Sequence, residues 1–221
     1  MARAMTDQAK KEKSNYILDK AFELFETKSF KEFRMSDLAK LADMSKGLLF
    51  KYFRSKEMLF MSMLDRQHDY MMETIRDDFS QYDEIDTQVI KKVFLKETET
   101  LYHPSTPLIK LNLIKSTILE QNIDYDFAVN QKLSFIKKSQ ELYQEIISRL
   151  KDVSPEEFIK VFTVHVTLLF GYLHQVTTSS VIKQVLKDYN LTQFEIDPIK
   201  ETKESLKIFI DGYLGHKKES S

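Results

Sequence analysis

Only four glycines and four prolines interrupt 221 residues. In a helix interior Gly costs about 1 kcal/mol and Pro about 3 kcal/mol relative to Ala, so a chain this poor in both can be helical from end to end. Hydrophobic residues make up 42% of it, enough for a globular core. They recur mostly at steps of three and four, which is the helical period. The sequence therefore predicts an all-α protein of about nine helices. The absence of cysteine excludes disulfides, thiolate metal sites and a cysteine nucleophile, and it fits a reducing cytoplasm. The first twenty residues are polar and charged, with no secretory pattern.

Charge is divided unevenly. The whole chain carries −1, yet residues 1–56 hold 13 Lys/Arg against 8 Asp/Glu, a balance of +5 that leaves −6 for the remainder. A basic head on an acidic body points to a polyanion as the partner of the head. Residues 1–13 lack an apolar face and read as a solvated tail carrying Arg3, Lys10, Lys11 and Lys13. From Ser14, the residues Ile17, Leu18, Ala21, Leu24 and Phe25 form a helical stripe, a support against which the next segment can pack.

That segment is the stretch Phe33–Phe60. Leu38, Ala39 and Ala42 give a short helix one apolar face, Asp43-Met44 reads as a tight turn, and Ser45 stands at an N-cap position. The run after it, KGLLFKYF, interleaves basic and aromatic residues around Leu49 and Phe53, which read as core. Ser55 caps the next helix, with Lys56-Glu57 in its first turn. Two short helices joined by a three- or four-residue turn form a helix-turn-helix, whose second helix enters the DNA major groove. Lys46 and Lys51 are the main candidate contacts, and Gly47 would let the backbone approach DNA closely. Phe50 has two readings, contact with a thymine methyl or a plug in the core. Arg34, Ser36, Ser45 and Leu48 are the neighbouring candidates for the DNA face.

In this run the sequence resembles the TetR/AcrR family of bacterial one-component regulators. Phe30, Leu38-Ala39, Ala42, Ser45-Lys46-Gly47, Leu49, Tyr52-Phe53 and Ser55-Lys56-Glu57 stand at places that match the family pattern, over about residues 14–60. Phe33-Arg34 replaces a Thr-Thr pair, Asp43 a turn glycine, Leu48 a polar residue and Phe50 a tyrosine. The resemblance implies a DNA-binding domain over residues 1–55 and a ligand-binding and dimerisation domain over residues 56–221. It also implies phosphate contacts from Tyr52 and Lys56.

In the body, Lys56 to about Phe79 reads as one helix with Phe60, Leu64, Met71 and Ile75 in a stripe that includes His68. A second helix, Asp86–Tyr102, carries Ile90, Val93, Phe94 and Leu101 with Glu97 among them. Thr106-Pro107 opens a third, through about Glu120. A long helix then runs from Asp126 to Leu150, with Val129, Leu133, Ile136, Tyr143, Ile147 and Leu150 inward and Gln140 on the same side. Ser154-Pro155-Glu156-Glu157 is a capping box with Pro at the first helical position. The helix it opens is apolar almost all round between Phe158 and Val176. The apolar run is too short to span a membrane and is broken by Thr163, His165, Thr167 and His174, so burial in a subunit interface is the reading. A last helix, opened by Asp197-Pro198, adds Leu206, Phe209, Ile210 and Tyr213.

The resemblance implies that these last two helices form a four-helix bundle in a homodimer, through Phe158, Phe162, Leu169, Tyr172, Leu206, Phe209, Ile210 and Tyr213. It also implies a hydrophobic or amphipathic effector held within the body. The candidate ligand residues are Leu64, His68, Met71, Phe94, Glu97, Gln140 and His165, polar groups on otherwise apolar stripes with their large neighbours. His165 and His174 are nine residues apart, not the i, i+4 spacing of a metal pair, so neither metal nor cofactor is expected. The sequence lacks a Gly-rich phosphate loop, a nucleophile elbow and a zinc motif, which argues against an enzyme. The functional expectation is a cytoplasmic, homodimeric repressor released from double-stranded operator DNA by a small molecule. The alternative is a DNA-anchored helical interaction protein without an effector.

Overall fold

The computed structural model describes residues 6–176, 180–191 and 196–215; Arg3 of the tail lies outside them. The protein is all-α. Its helices are α1 (Asp7–Thr27), α2 (Met35–Leu41), α3 (Lys46–Tyr52), α4 (Lys56–Ser80), α5 (Thr87–Thr100), α6 (Pro107–Ile114), α7 (Tyr125–Ile147), α8 (Pro155–Val176), α9 (Ser180–Asp188) and α10 (Pro198–Gly215). Between α6 and α7 lie a π-helical turn, Lys115–Leu119, and a 3₁₀ turn, Glu120–Asn122. None of the described helices is long and apolar enough to cross a membrane.

The described residues form two compact units, one of residues 6–69 with Lys110–Phe135, the other of Tyr70–Ile109 with the described residues of 136–215. The first is built around the short helices. Leu38, Ala39, Ala42, Leu49 and Phe53 are buried, as their spacing predicts. Ser45 Oγ accepts the Leu48 amide at 3.2 Å and Ser55 Oγ the Met58 amide at 3.0 Å, so both start signals act as caps. Asp43 is in the left-handed region at φ 48°, the conformation that the turn between α2 and α3 demands. The start of α2 has no side-chain cap from Arg34. Instead Asp37 places a carboxylate in its first turn, held by Lys28 Nζ at 3.0 Å.

In the second unit, Phe79, Phe94 and Phe158 meet with ring centroids 5.8–5.9 Å apart, and all three are essentially inaccessible. Such contacts add about 0.5–1.5 kcal/mol each beyond area burial. The capping box of α8 is reciprocal: Ser154 Oγ accepts the Glu157 amide at 3.2 Å and Glu157 Oε2 accepts the Ser154 amide at 2.8 Å. One guanidinium nitrogen of Arg149 donates to the carbonyls of Phe79 and Tyr82, both at 3.0 Å, near the end of α4, where the Phe79 oxygen also accepts the Tyr82 amide at 3.1 Å.

Several boundaries differ from the sequence reading. The first helix begins at Asp7 rather than Ser14, because Thr6 Oγ1 caps the Ala9 amide. The helix from Pro107 leaves α geometry after Ile114 instead of running to Glu120. In α7 the buried residues are Leu142 and Ile146, while Leu133 is 61% exposed. Helix α9 lies outside the sequence expectation, although Thr177-Thr178-Ser179 before it are capping residue types and Ile182, Val185, Leu186 and Tyr189 recur at helical spacing; its Val181 and Ile182 are 69% and 47% exposed.

Candidate nucleic-acid interface and ligand cavity

The second motif helix, α3, has one buried face and one open face. Leu49 is fully buried, while Lys46, Gly47, Leu48 and Lys51 are exposed, with Phe50 and Tyr52 half-buried. Lys46 Nζ lies over the Phe50 ring, 5.7 Å from its centroid. Arg34 and Ser45 are exposed and Ser36 half-buried. A methyl group added to Gly47 would meet no atom within 4 Å, and the residue has no positive φ. Nothing inside the protomer therefore requires glycine there.

Lys56 is placed differently from the others. Its Nζ donates to the carbonyl oxygens of Phe30 at 2.6 Å and Phe33 at 3.1 Å, and lies 3.9 Å from the Phe30 ring centroid. Burial holds its pKa below the usual lysine value.

A cavity of about 530 Å³ opens in the first unit between α4, the π-helical and 3₁₀ turns and α7. Met61, Leu64, Ala128 and Phe135 supply apolar wall, and Asp65, His68, Lys115, Glu120 and Lys132 supply charge or hydrogen-bonding groups. Its size lies within the ~300–1,000 Å³ of small-molecule sites. A π-helical turn often marks a functional site, and here Lys115 and Glu120 bracket it with Nζ and Oε1 3.5 Å apart. The His68 ring packs 4.9 Å from that of Phe135.

Of the candidate ligand residues, Leu64 and His68 line this cavity. Gln140 is exposed on α7, contrary to the inward position its spacing suggested, because the buried stripe of α7 passes through Leu142 and Ile146. Phe94, Glu97 and His165 belong instead to the packed interior of the second unit, while Met71 is half-buried, its Sδ accepting from the Tyr102 hydroxyl at 3.5 Å, and the neighbouring Met72 takes the buried position. The Thr98 hydroxyl donates to the Phe94 carbonyl at 2.7 Å, spending its only proton, so His165 Nε2 must donate to Thr98 Oγ1 across 2.8 Å. His165 Nδ1 is then a lone-pair acceptor, buried and without a partner. Burial pushes the His165 pKa down to about 4. Both Glu97 carboxyl oxygens are buried without a hydrogen-bond partner. Burial first, and then the charge of Asp78, pushes that carboxyl well above the ordinary carboxylate range, against a smaller pull from Lys96. Burial therefore favours the neutral form of the Glu97 carboxyl over the charged one.

The candidate interface residues also divide. Phe158, Leu169, Leu206 and Ile210 are buried within their own protomer, because the inner faces of α8 and α10 cover them. Phe162, Tyr172 and Phe209 are half-buried and Tyr213 is 42% exposed. Beside them Ile159 and Ile208 are 44% and 75% exposed, two apolar side chains that the sequence reading passed over.

Residues 17–63 match the bacterial regulatory proteins of the tetR family, and residues 99–217 match the tetracyclin repressor-like C-terminal domain. The chain belongs to the TetR family. Over 59 residues it is 39% identical to the HTH-type transcriptional regulator YuxN of Bacillus subtilis (strain 168), a match spanning 27% of this chain and 20% of that protein. In fold it is similar to the TetR family repressor AlkX of Dietzia sp. strain DQ12-45-1b, at TM-score 0.51 and 15% identity over 92% of this chain and 95% of that one. It is likewise similar to a structure assigned to the TetR family from Mesorhizobium loti MAFF303099, at TM-score 0.57 and 15% identity, covering 96% and 98% of the two chains. As a TetR-family protein, the chain is a DNA-binding transcriptional regulator.

Proposed function

We propose that the protein is a homodimeric repressor that reads operator DNA with α3 and is released by a hydrophobic or amphipathic small molecule. The observation that carries the reading is α3 itself: Leu49 anchors it, while Lys46 and Lys51 face out on either side of Gly47, a glycine that the protomer does not need. In this reading residues 1–55 are the DNA-binding domain, and Arg34, Ser36, Ser45, Leu48, Phe50 and Tyr52 flank the contact made by the two lysines. The exposed side of α8 and α10, with Ile159, Ile208 and Tyr213, pairs with a second copy. The cavity beside α4 receives the effector, its apolar wall meeting the ligand body and its charged rim a polar end. To move the protein from 1:99 to 99:1 between DNA-binding and released states, the effector must prefer the released state by roughly 5.5 kcal/mol.

Gly47→Ala tests the reading because it separates folding from binding. Filling an open helix position with Ala is expected to stabilise the fold by up to about 1 kcal/mol, a Tm rise of about 2–4 °C in a protein of this size. Operator affinity is expected to fall at least tenfold, because the methyl group stands where the DNA backbone or base edges come closest. A variant that is more stable and binds duplex DNA as tightly as the parent would remove α3 from the contact surface.

A further inference from the structure

We propose that Lys56 acts as a positioning residue, tying α4 to the turn between α1 and α2, rather than as a phosphate contact. The inference rests on the reading of α3 as the DNA-contacting helix. An ammonium has three protons to donate, and the surroundings of Lys56 Nζ account for all of them: two go to the Phe30 and Phe33 carbonyls, and the remaining side faces the Phe30 ring. The backbone of the turn leaves those carbonyls to it, since the amides of Glu32 and Phe33 both donate to Ser29 O. One helical turn on, Phe60 is fully buried and meets Phe25, Phe30 and Phe33 edge-on, at 5.2, 4.9 and 4.8 Å. Lys56 and Phe60 together hold the loop that leads into α2, and α2 and its tight turn set the position of α3. Reaching a phosphate would require Nζ to leave two carbonyls and a ring face at once. The next turns of α4 carry Met61 and Leu64 into the cavity wall, so whatever shifts this part of α4 also shifts the turn.

The test is Lys56→Met, which keeps the aliphatic stem over Phe30 and removes the donors, with Lys51→Met as the comparison. Two quantities are read: operator affinity as a function of salt, and hydrogen exchange of the amides between Phe30 and Leu38 in the protein without DNA. A lost phosphate contact lowers the slope of log K against log salt by about 0.9, which is the result expected for Lys51→Met. For Lys56→Met the expected result is affinity down at least tenfold with an unchanged slope, and faster exchange in the turn. Lys56→Gln, which retains two N–H donors on a chain one atom shorter, should recover part of both losses without a charge. A slope reduced by about 0.9 in both Lys56 variants, unaltered affinity, or unaltered exchange in Lys56→Met would each overturn the proposal. The exchange measurement needs no DNA, so failure of the parent protein to bind any duplex would count against the DNA reading and leave the clasp to be judged separately. Should the methionine variant fail to fold, Lys56→Gln supplies the same pair of readings.

Discussion

Replacing Lys51 and Tyr52 together with alanine is expected to lower operator affinity by about 10²-fold or more, the largest effect on binding that any pair of positions should give. Lys51 is exposed on the open side of α3, so its loss removes a cation from the proposed DNA-contacting face without opening a hole in the core. Tyr52 is half-buried, and alanine there removes both a hydroxyl and a ring at the edge of the contact. A lost contact with a base is worth about 1–3 kcal/mol, and a lost phosphate contact also reduces the salt slope by about 1. Fluorescence anisotropy on labelled duplex between low and moderate salt measures both. Unchanged affinity with unchanged slope would mean that α3 is not the reading helix. Circular dichroism and thermal melting of the variant provide the control, since Leu49 and Phe53, which hold α3 to the rest of the unit, are untouched.

Glu97→Met is expected to give the largest gain in stability. The wild-type carboxyl is buried with both oxygens unpartnered, and such a group costs about 1–3 kcal/mol relative to an apolar one of similar shape. Methionine is unbranched and of similar length, so it fills the space without forcing its neighbours. The expected Tm rise is roughly 2–12 °C, at about 2–4 °C per kcal/mol for this chain length.

The dependence on pH identifies the cause. Because the folded-state pKa of Glu97 is raised, its contribution to stability is fully present below about 4.5, the unfolded value, and is lost as pH rises through the folded value. His165 acts in the opposite sense. Its pKa falls from 6.5 to about 4 on folding, so its contribution is complete above 6.5 and is lost as pH drops through that window, about 3 kcal/mol in all. The methionine variant should therefore lose the decline toward higher pH and retain the decline toward acid. Equal stability of variant and parent at every pH would mean that Glu97 has a partner in solution.

The helix-turn-helix was readable from sequence because its signals are local. Ser45 and Ser55 cap helices within three residues of themselves, and Leu38, Ala39, Leu49 and Phe53 lie on the buried sides their spacing predicts. The capping box at Ser154 was readable for the same reason. Periodicity identifies which face of a helix is apolar, but not what covers that face. Phe158, Leu169, Leu206 and Ile210 are covered by their own protomer, whereas Ile159 and Ile208, on the same two helices, are not. In α7 the apolar residues form more than one stripe, and the one through Leu133 stays exposed. Long-range partners leave no sequence signal at all. The carbonyls that receive Lys56 lie 23 and 26 residues before it. The cavity brings Met61 and Asp65 to Gln131 and Phe135 from a helix some seventy residues on. His68 was the one polar residue of that wall conspicuous beforehand, as a histidine on an apolar stripe.

The proposed function of this regulator depends on two copies presenting two α3 helices to one duplex. Selection of bound duplexes from a random library at low salt, followed by sequencing, tests this most directly. The account predicts enrichment of an inverted repeat whose half-sites lie ~34–36 Å apart or a multiple of that distance, with recovery falling steeply as salt is raised. Enrichment of a single unrepeated site, or no enrichment at any ionic strength, would contradict it.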